Sequence, residues 1–272
     1  MKNQPAINVF KISVTAFVDW VGRTTITSIL YITHLLSFTF IAFLSMRLGS
    51  KRTAVNRRSV ASQIIFGGID ALPTITIIGF AIAISVTAQF IFILQSIITE
   101  KELMQVLMQI IAQEFAPLLT AIILIGRSGS AITVDLGNMR VHKEIRGLEL
   151  LGIDITSFFV LPRILGMAIS QFALAVYFSS IVIVAGIIFS ALFYSPSHFK
   201  YIFILVDAIT PYEVLIFLIK NLWFGIIIGA TACFHGLRVN QSITEVPQQT
   251  QRAIVSSLIL VFIVDGILVL AK

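Results

Sequence analysis

Charged side chains are scarce in this sequence. Asp, Glu, Lys and Arg make up 12% of its 272 residues, whereas soluble globular domains carry roughly 25%. Hydrophobic residues make up 57%, and the mean hydropathy is +0.99. So few polar side chains cannot cover a particle of this size in water. The composition therefore excludes a soluble globular protein and indicates an integral membrane protein whose apolar excess faces lipid.

Several motifs that carry chemistry are also absent from the sequence. Cys233 is the only cysteine, which excludes an intrachain disulfide, and a small buried hydrophobe is its expected role. The sequence has no GxxxxGKS or GxxxxGKT phosphate loop, no HExxH pair, no paired cysteines and no GxSxG elbow. We therefore predict no catalytic, metal or nucleotide site in this chain. Its energy source must be another subunit or an ion gradient.

The basic character of the chain, with a formal net charge of +6, does not indicate a nucleic-acid partner. Proteins that bind single-stranded nucleic acid combine a basic groove with stacking aromatics, and no basic run here is interleaved with aromatic residues. In membrane proteins Lys and Arg collect on cytoplasmic loops, where they also contact anionic lipid. We therefore predict a membrane setting and no nucleic-acid partner.

Five apolar runs are long enough to cross a bilayer, which takes about 20 helical residues. They lie at about 71–95, 106–134, 156–193, 213–235 and 253–271. The segments between them are too short to hold a soluble domain. The sequence therefore predicts an all-α integral membrane protein in which residues 59–272 form one transmembrane domain.

Basic residues indicate the orientation of these runs. Most Lys and Arg residues of the loops fall in three segments, at 47–58, 138–154 and 238–252. Because such loops stay on the cytoplasmic side, all three are predicted to be cytoplasmic. The loops around 96–104 and 194–212 hold one Lys each and are predicted to lie outside.

A further apolar run at 24–46 has two interpretations. It either lies in the membrane interface as an amphipathic helix or crosses the bilayer as a sixth span. Lys2, Lys11 and Arg23 oppose translocation of the N-terminus and favour the interfacial helix. Residues 1–58 are therefore predicted to be an interfacial helix followed by a basic linker.

The segment 138–152 has the pattern of a short amphipathic helix in a cytoplasmic loop. Val141, Ile145 and Leu148 recur at helical spacing, while the charged side chains point elsewhere. One interpretation is a surface helix that rests on the membrane. The other is a coupling helix that inserts into a groove of a partner ATPase. The candidate contact residues are Arg140, Val141, Glu144, Ile145, Leu148 and Glu149.

Ionisable residues occur within or beside three of the apolar runs. Asp135, Lys220 and Asp265 lie on different runs, and an ionisable group in hydrocarbon costs a few kcal/mol or more unless it is paired or hydrated. The three can satisfy one another in a bundle. Their role is either a structural ion pair or a polar lining for a charged headgroup.

Small residues surround a fourth charged residue, Arg127. Its neighbours in GRSGSA permit close helix packing, and Arg127 itself fits the headgroup level. Gly225 and Gly229 form a GxxxG pair on another run. That spacing is weak evidence for function, and close packing explains it.

The stretch from Glu114 to Asp154 resembles the signature region of the MlaE/YrbE permeases. The family pattern is an E-[LF]-[GA]-P start, GR-x-GSA, an acid before a Gly, M-[RK]-V and a helix ending LE-x-x-G. It is matched by Glu114, Pro117, Gly126, Arg127, Gly129, Ser130, Ala131, Asp135, Gly137, Met139, Arg140, Leu148, Glu149, Gly152 and Asp154. Downstream, the matching positions are Pro162, Arg163, Lys220, Phe224, Gly225, Cys233, Gly236 and Asp265. The resemblance covers roughly residues 55–270.

The resemblance implies a fold similar to ABCA/ABCG-type exporters. It implies a homodimer with an N-terminal interfacial helix and five spans per subunit, in a bacterial inner membrane. Two ATPase subunits, which bind ATP and Mg, would dock on the coupling helices. A periplasmic MCE-domain protein would form a ring outside, and some systems add a STAS-domain subunit. The implied substrate is a phospholipid. Asp135, Lys220 and Asp265 match, by motif, charged positions in the lipid path of the family.

Two features depart from the family pattern. Asp135 stands where many members have Glu, which keeps the charge but shortens the reach. The family often has a glycine-rich loop before the last span, whereas 238–252 contains no glycine. The geometry of the family's glycine-rich loop is therefore not assigned to residues 238–252.

The sequence thus predicts a permease subunit of an ABC-type lipid transporter and leaves two alternatives open. One is a secondary transporter that uses Asp135, Lys220 and Asp265 as a proton relay, without an ATPase. The other is a membrane scaffold of an envelope complex that transports nothing.

Overall fold

The structure is a computed structural model of the chain that describes residues 22–23, 26–27, 29–45, 57–94, 111–193, 211–240 and 242–270. Those residues form helices and turns and contain no β-strand. Five of their helices are long and apolar enough to cross a membrane, and they are called the first to fifth spans: Arg58–Val86, Gln113–Val141, Thr156–Phe193, Pro211–Leu237 and Glu245–Leu270. The predicted all-α fold with five membrane-spanning helices is confirmed.

Two spans begin earlier than the apolar runs suggest. The first includes residues of the helix Arg57–Gly67, which a 3₁₀ turn at Ile69–Ala71 joins to Leu72–Leu94. The fifth begins at Glu245, eight residues ahead of the predicted start at 253. Hydropathy marks only the part of a helix in hydrocarbon, whereas backbone hydrogen bonding continues through polar turns.

The predicted helix at 138–152 is wrong as a single element. Residues as far as Val141 belong to the helix Ser130–Val141, which ends the second span, and a separate short helix runs from Glu144 to Leu150. Between them Lys143 adopts a left-handed φ of 60°, which an L residue rarely adopts and which interrupts helical hydrogen bonding. The Glu144–Leu150 segment is called the loop helix.

Several predicted segments lie outside the described residues. They include residues 47–56 of the basic linker, the loop at 96–104, the start of the second apolar run at 106–110 and residues 194–210 of the other outside loop. The described loops at 142–155 and 238–244 share one end of the bundle, which is called the loop end. The basic residues predict that this end faces the cytoplasm.

The fourth span occupies the centre of the bundle, in contact with the second, third and fifth spans. Its GxxxG pair faces the third span. A Cβ atom on Gly225 would lie 2.6 Å from the Met167 carbonyl oxygen, and one on Gly229 would lie 2.8 Å from the Ile164 Cα. Only glycine permits this approach of two backbones, so the expected packing role of this pair is confirmed.

An apolar helix at Ile29–Ser45, too short to be counted among the five spans, packs on the fourth span. Its Tyr31 and Phe38 rings both contact Phe234, at centroid distances of 5.7 and 5.6 Å. The helix therefore packs against the fourth span near its loop end. Its interfacial position in a bilayer stays a prediction.

Candidate substrate path and coupling loop

Three charged side chains from three different spans meet at Lys220. Its Nζ lies 2.5 Å from a carboxylate oxygen of Glu114 on the second span and 2.5 Å from one of Asp265 on the fifth. The Lys220 residue is 3% exposed. The predicted pairing of Lys220 with Asp265 is therefore found, and Glu114 joins it. These three residues are called the Lys220 cluster.

A proline makes room for this cluster. In an α-helix the carbonyl of Gln113 would accept a hydrogen bond from the residue four positions later, but that residue is Pro117, which has no N–H. The Nζ of Lys220 donates to the Gln113 carbonyl at 3.3 Å instead. The backbone is also widened into a π-helical turn at Ile111–Phe115. Lys220 thus replaces a helical donor while it neutralises two acids.

Two buried amide side chains lie directly beside the Lys220 cluster. Gln171 Nε2 donates to the Asn221 side-chain oxygen at 3.1 Å and to the Pro117 carbonyl at 3.1 Å. Both amide residues are fully buried. Sequence reasoning missed Gln171 and Asn221, although a polar residue inside an apolar run is the same signal that identified Lys220.

The third predicted partner, Asp135, does not join the Lys220 cluster. It pairs with Arg163 Nη2 of the third span. Asp135 lies six residues from the loop-end terminus of the second span, whereas Lys220 lies 17 residues from that of the fourth, about 25 Å along the helix. The expectation that Asp135, Lys220 and Asp265 satisfy one another is wrong, because the acid lies at a different depth in the bundle.

The Asp135–Arg163 pair is asymmetric in its exposure. The Arg163 side chain is 7% exposed and the Asp135 side chain 60% exposed. The carboxylate therefore compensates a buried cation while remaining largely in contact with solvent. Sequence reasoning noted Arg163 only as part of the Pro-Arg motif and assigned it no partner.

Replacing Asp135 with asparagine is expected to lower the free energy of unfolding by about 2 kcal/mol, because it leaves the buried Arg163 guanidinium with a weaker acceptor. Thermal unfolding in detergent, followed by size-exclusion chromatography, measures the loss. The control is Asp135→Glu, which keeps the charge and is expected to retain most of the stability. Equal stability of D135N and the wild type would show that this pair does not support the fold.

Arg127 stands apart from both ion pairs. It lies in a π-helical turn, Ile125–Gly129, and its Nη1 donates to the Phe66 carbonyl at 3.4 Å. Of the small residues beside it, Gly129 packs on Ile228, while a Cβ on Gly126 would meet nothing within 4 Å. The described residues therefore place Arg127 against the first span rather than in the Lys220 cluster.

The coupling candidates divide by exposure. Arg140, Glu144 and Glu149 are exposed, and Val141 and Leu148 are partly buried. Ile145 is 1% exposed and packs inside the chain. Leu150 and Leu151, which were not among the predicted contact residues, are 83% and 77% exposed. Ile145 therefore anchors the loop helix to its own chain, while the two leucines present apolar surface at its end.

A bundle of five apolar helices, each long enough to cross a bilayer, defines a multi-pass membrane protein. Comparison with known families agrees with that class. The family model described as "Permease MlaE" matches residues 60–271. The chain belongs to the MlaE permease family.

Individual relatives are consistent with this assignment. A probable ABC transporter permease protein of Synechocystis sp. is 28% identical over 213 residues, which cover 77% of this chain and 80% of the relative. A probable ABC transporter permease protein of Rickettsia prowazekii is 26% identical, with coverage of 75% and 79%. The chloroplastic protein TRIGALACTOSYLDIACYLGLYCEROL 1 of Arabidopsis thaliana is 25% identical, with coverage of 79% and 61%. These relatives support a transporter permease and not an enzyme.

Proposed function

We propose that the chain is the membrane subunit of an ABC-type phospholipid transporter in a bacterial inner membrane. It moves lipid between that membrane and a periplasmic MCE-domain protein, and it works as a homodimer driven by a separate ATPase that binds ATP and Mg. The observation that carries the proposal is the Lys220 cluster, which places compensated charge inside an apolar bundle.

The cluster suits a headgroup path for a physical reason. An ionisable group within a span is costly, and membrane proteins retain such groups mainly where a polar substrate or ion passes. Among the three side chains Glu114 is the most exposed, at 31%, so it is the group that a headgroup meets first.

The name of the Arabidopsis relative contains that of a glycolipid, trigalactosyldiacylglycerol. A diacylglycerol backbone shared with phospholipids supports a lipid substrate for the present chain. The headgroup is proposed from the chemistry of the cluster and not from that name. Affinity purification in mild detergent, with identification of bound lipid and co-purifying chains, tests the proposal. Purification without lipid, ATPase or MCE protein would contradict it.

The loop helix supplies the proposed contact with the ATPase. It connects the second span to the third, so a push on it reaches the span that carries Glu114 and Asp135 and the span that carries Arg163. Its exposed leucines provide apolar anchors beside the charges of Glu144 and Glu149, the mixture that helix-in-groove docking uses. A STAS-domain subunit is a further candidate at the same end of the bundle.

Replacing Leu150 and Leu151 together with aspartate is expected to reduce co-purification of the ATPase at least tenfold, because the substitution places charge in an apolar interface. Stability of the permease itself should not change, since both side chains are exposed. The conservative double replacement with methionine is the control and should retain the ATPase. Full ATPase recovery with the aspartate variant would remove the loop helix from the coupling mechanism.

A further inference from the structure

A polar pocket of about 350 Å³ lies between the first and third spans near the loop end. The first span contributes Arg58, Ser59, Ser62 and Gln63 to its lining. These positions follow one another over little more than one helical turn. They place a guanidinium, two hydroxyls and an amide around one volume, which is an unusual concentration of polar groups on a membrane helix.

The opposite wall of the pocket comes from the third span and includes Arg163. This residue is 6% exposed. Its Nη2 is used by Asp135, while its Nη1 is buried and has no hydrogen-bond partner among the residues that the structure describes. An unsatisfied buried donor of this kind is unfavourable. The guanidinium therefore keeps one N–H donor, in the wall of the pocket, that the described residues leave unused.

Cationic side chains line both walls of the pocket, although Asp135 compensates the charge of one of them, Arg163. The lining contains the two guanidinium groups of Arg58 and Arg163 and, within the described part of the chain, no carboxylate. In sequence Arg58 ends the basic linker that begins at Arg47. Paired arginines with neighbouring hydroxyls are the usual recognition elements for phosphate oxygens.

The rest of the lining is apolar. Phe158, Phe159 and Pro162 complete the third-span wall, and Phe158 is 47% exposed. The Phe158 and Phe159 rings contact each other edge to face at 4.9 Å. A ligand in this pocket therefore meets Arg58 and two hydroxyls on the first-span wall, and Arg163 beside exposed aromatic surface on the third-span wall. That combination matches a phosphate attached to an apolar tail better than a free ion.

We propose that this pocket binds the phosphate of a phospholipid headgroup in the leaflet at the loop end, with the acyl chains lying outside over Phe158. The site is separate from the Lys220 cluster, which lies about 25 Å from the loop end along the fourth span. The inference does not rest on the proposed transport function, because a lipid bound here can stabilise the first and third spans in a protein that moves no lipid.

The experiment uses the full chain, purified in detergent together with any partners that remain bound. A phosphatidylglycerol with a photoreactive headgroup is cross-linked to it, and mass spectrometry locates the adducts. We expect adducts within 58–63 and 156–163. Dihexanoyl-phosphatidylglycerol should compete, whereas dihexanoylglycerol, which has no phosphate, should not. Competition by inorganic phosphate at the same concentration would assign the site to a free anion and overturn the lipid proposal.

Two variants test the pocket itself. Arg58→Gln should weaken competition by dihexanoyl-phosphatidylglycerol about tenfold, the effect of losing one charge-assisted contact. Ser62→Phe keeps both arginines and should abolish the adducts by filling the pocket; Ser62 is exposed, so folding should survive. Arg252→Gln removes an exposed arginine from the loop end of the fifth span and should change nothing. Wild-type adducts in both pocket variants would refute the site, whatever their transport activity.

Discussion

Replacing Lys220 with methionine is expected to abolish lipid transport and to lower the free energy of unfolding by about 3–5 kcal/mol, the usual result of breaking a buried ion pair. The reason is that Lys220 compensates two acids at once. Without it, Glu114 and Asp265 remain close together with no cation, and the Gln113 carbonyl loses a donor. Thermal unfolding in detergent and ATP-driven lipid transfer in proteoliposomes measure the two effects.

A set of matched variants separates the role of the Lys220 cluster in folding from its role in transport. Asp265→Asn leaves the Lys220–Glu114 pair intact and should cost less stability than Lys220→Met. The triple variant E114Q/K220M/D265N removes all three charges, and such neutral replacements of buried ion pairs are often close to neutral for stability. We expect this variant to fold and to transport no lipid.

The triple variant also gives the result that would most directly contradict the proposed headgroup path. If it transfers lipid at the wild-type rate, the cluster serves only to hold the second, fourth and fifth spans together, and the headgroup path must lie elsewhere. If K220M is as stable as the wild type, the acids are compensated by other groups. Either outcome contradicts a role that we assign to the cluster, the first its role in transport and the second its role in stability.

The contrast between Lys220 and Asp135 shows how far the sequence predicts such a site. Hydropathy identifies an ionisable residue within a span, and it predicted correctly that Lys220 needs Asp265. It carries no information on which spans adjoin or how each is rotated. Asp135 was grouped with these two because it carries a complementary charge, although its depth matches Arg163. Asp135 falls just past the end of the apolar run at 106–134, whereas Lys220 and Asp265 lie inside their runs, and that difference was the signal that would have separated them.

The loop at 142–155 illustrates a second limit of sequence patterns. Val141, Ile145 and Leu148 have helical spacing in the sequence. The left-handed backbone at Lys143 interrupts the helix between Val141 and Ile145, but this break leaves no trace in the spacing of the apolar residues. The pattern therefore predicted one exposed amphipathic helix, whereas Ile145 is buried against its own chain. The apolar residues that are exposed are Leu150 and Leu151. They come after the three regularly spaced residues, and nothing in the sequence marks them as exposed.

Close packing of the third and fourth spans leads to the other large expected effect. Gly225→Ala is expected to lower the free energy of unfolding by about 3 kcal/mol or more, which is the upper part of the range for an added methyl group in a packed interior. The new Cβ would lie 2.6 Å from the Met167 carbonyl oxygen and 2.8 Å from the Ala168 nitrogen. Because both are backbone atoms, no side-chain rotation relieves the overlap, and the two helices must separate.

Gly266→Ala is the matched control, since Gly266 also lies within a span but a Cβ there meets nothing within 4 Å. That change should leave the unfolding temperature equal or higher, because alanine is favoured over glycine in a helix by roughly 0.5–1 kcal/mol. Separation of the third and fourth spans would also pull Gln171 from Asn221, so G225A should lose transport together with stability. A G225A protein as stable as G266A would mean that the two backbones are not in contact, and the centre of the bundle would have to be rebuilt around a different helix pair.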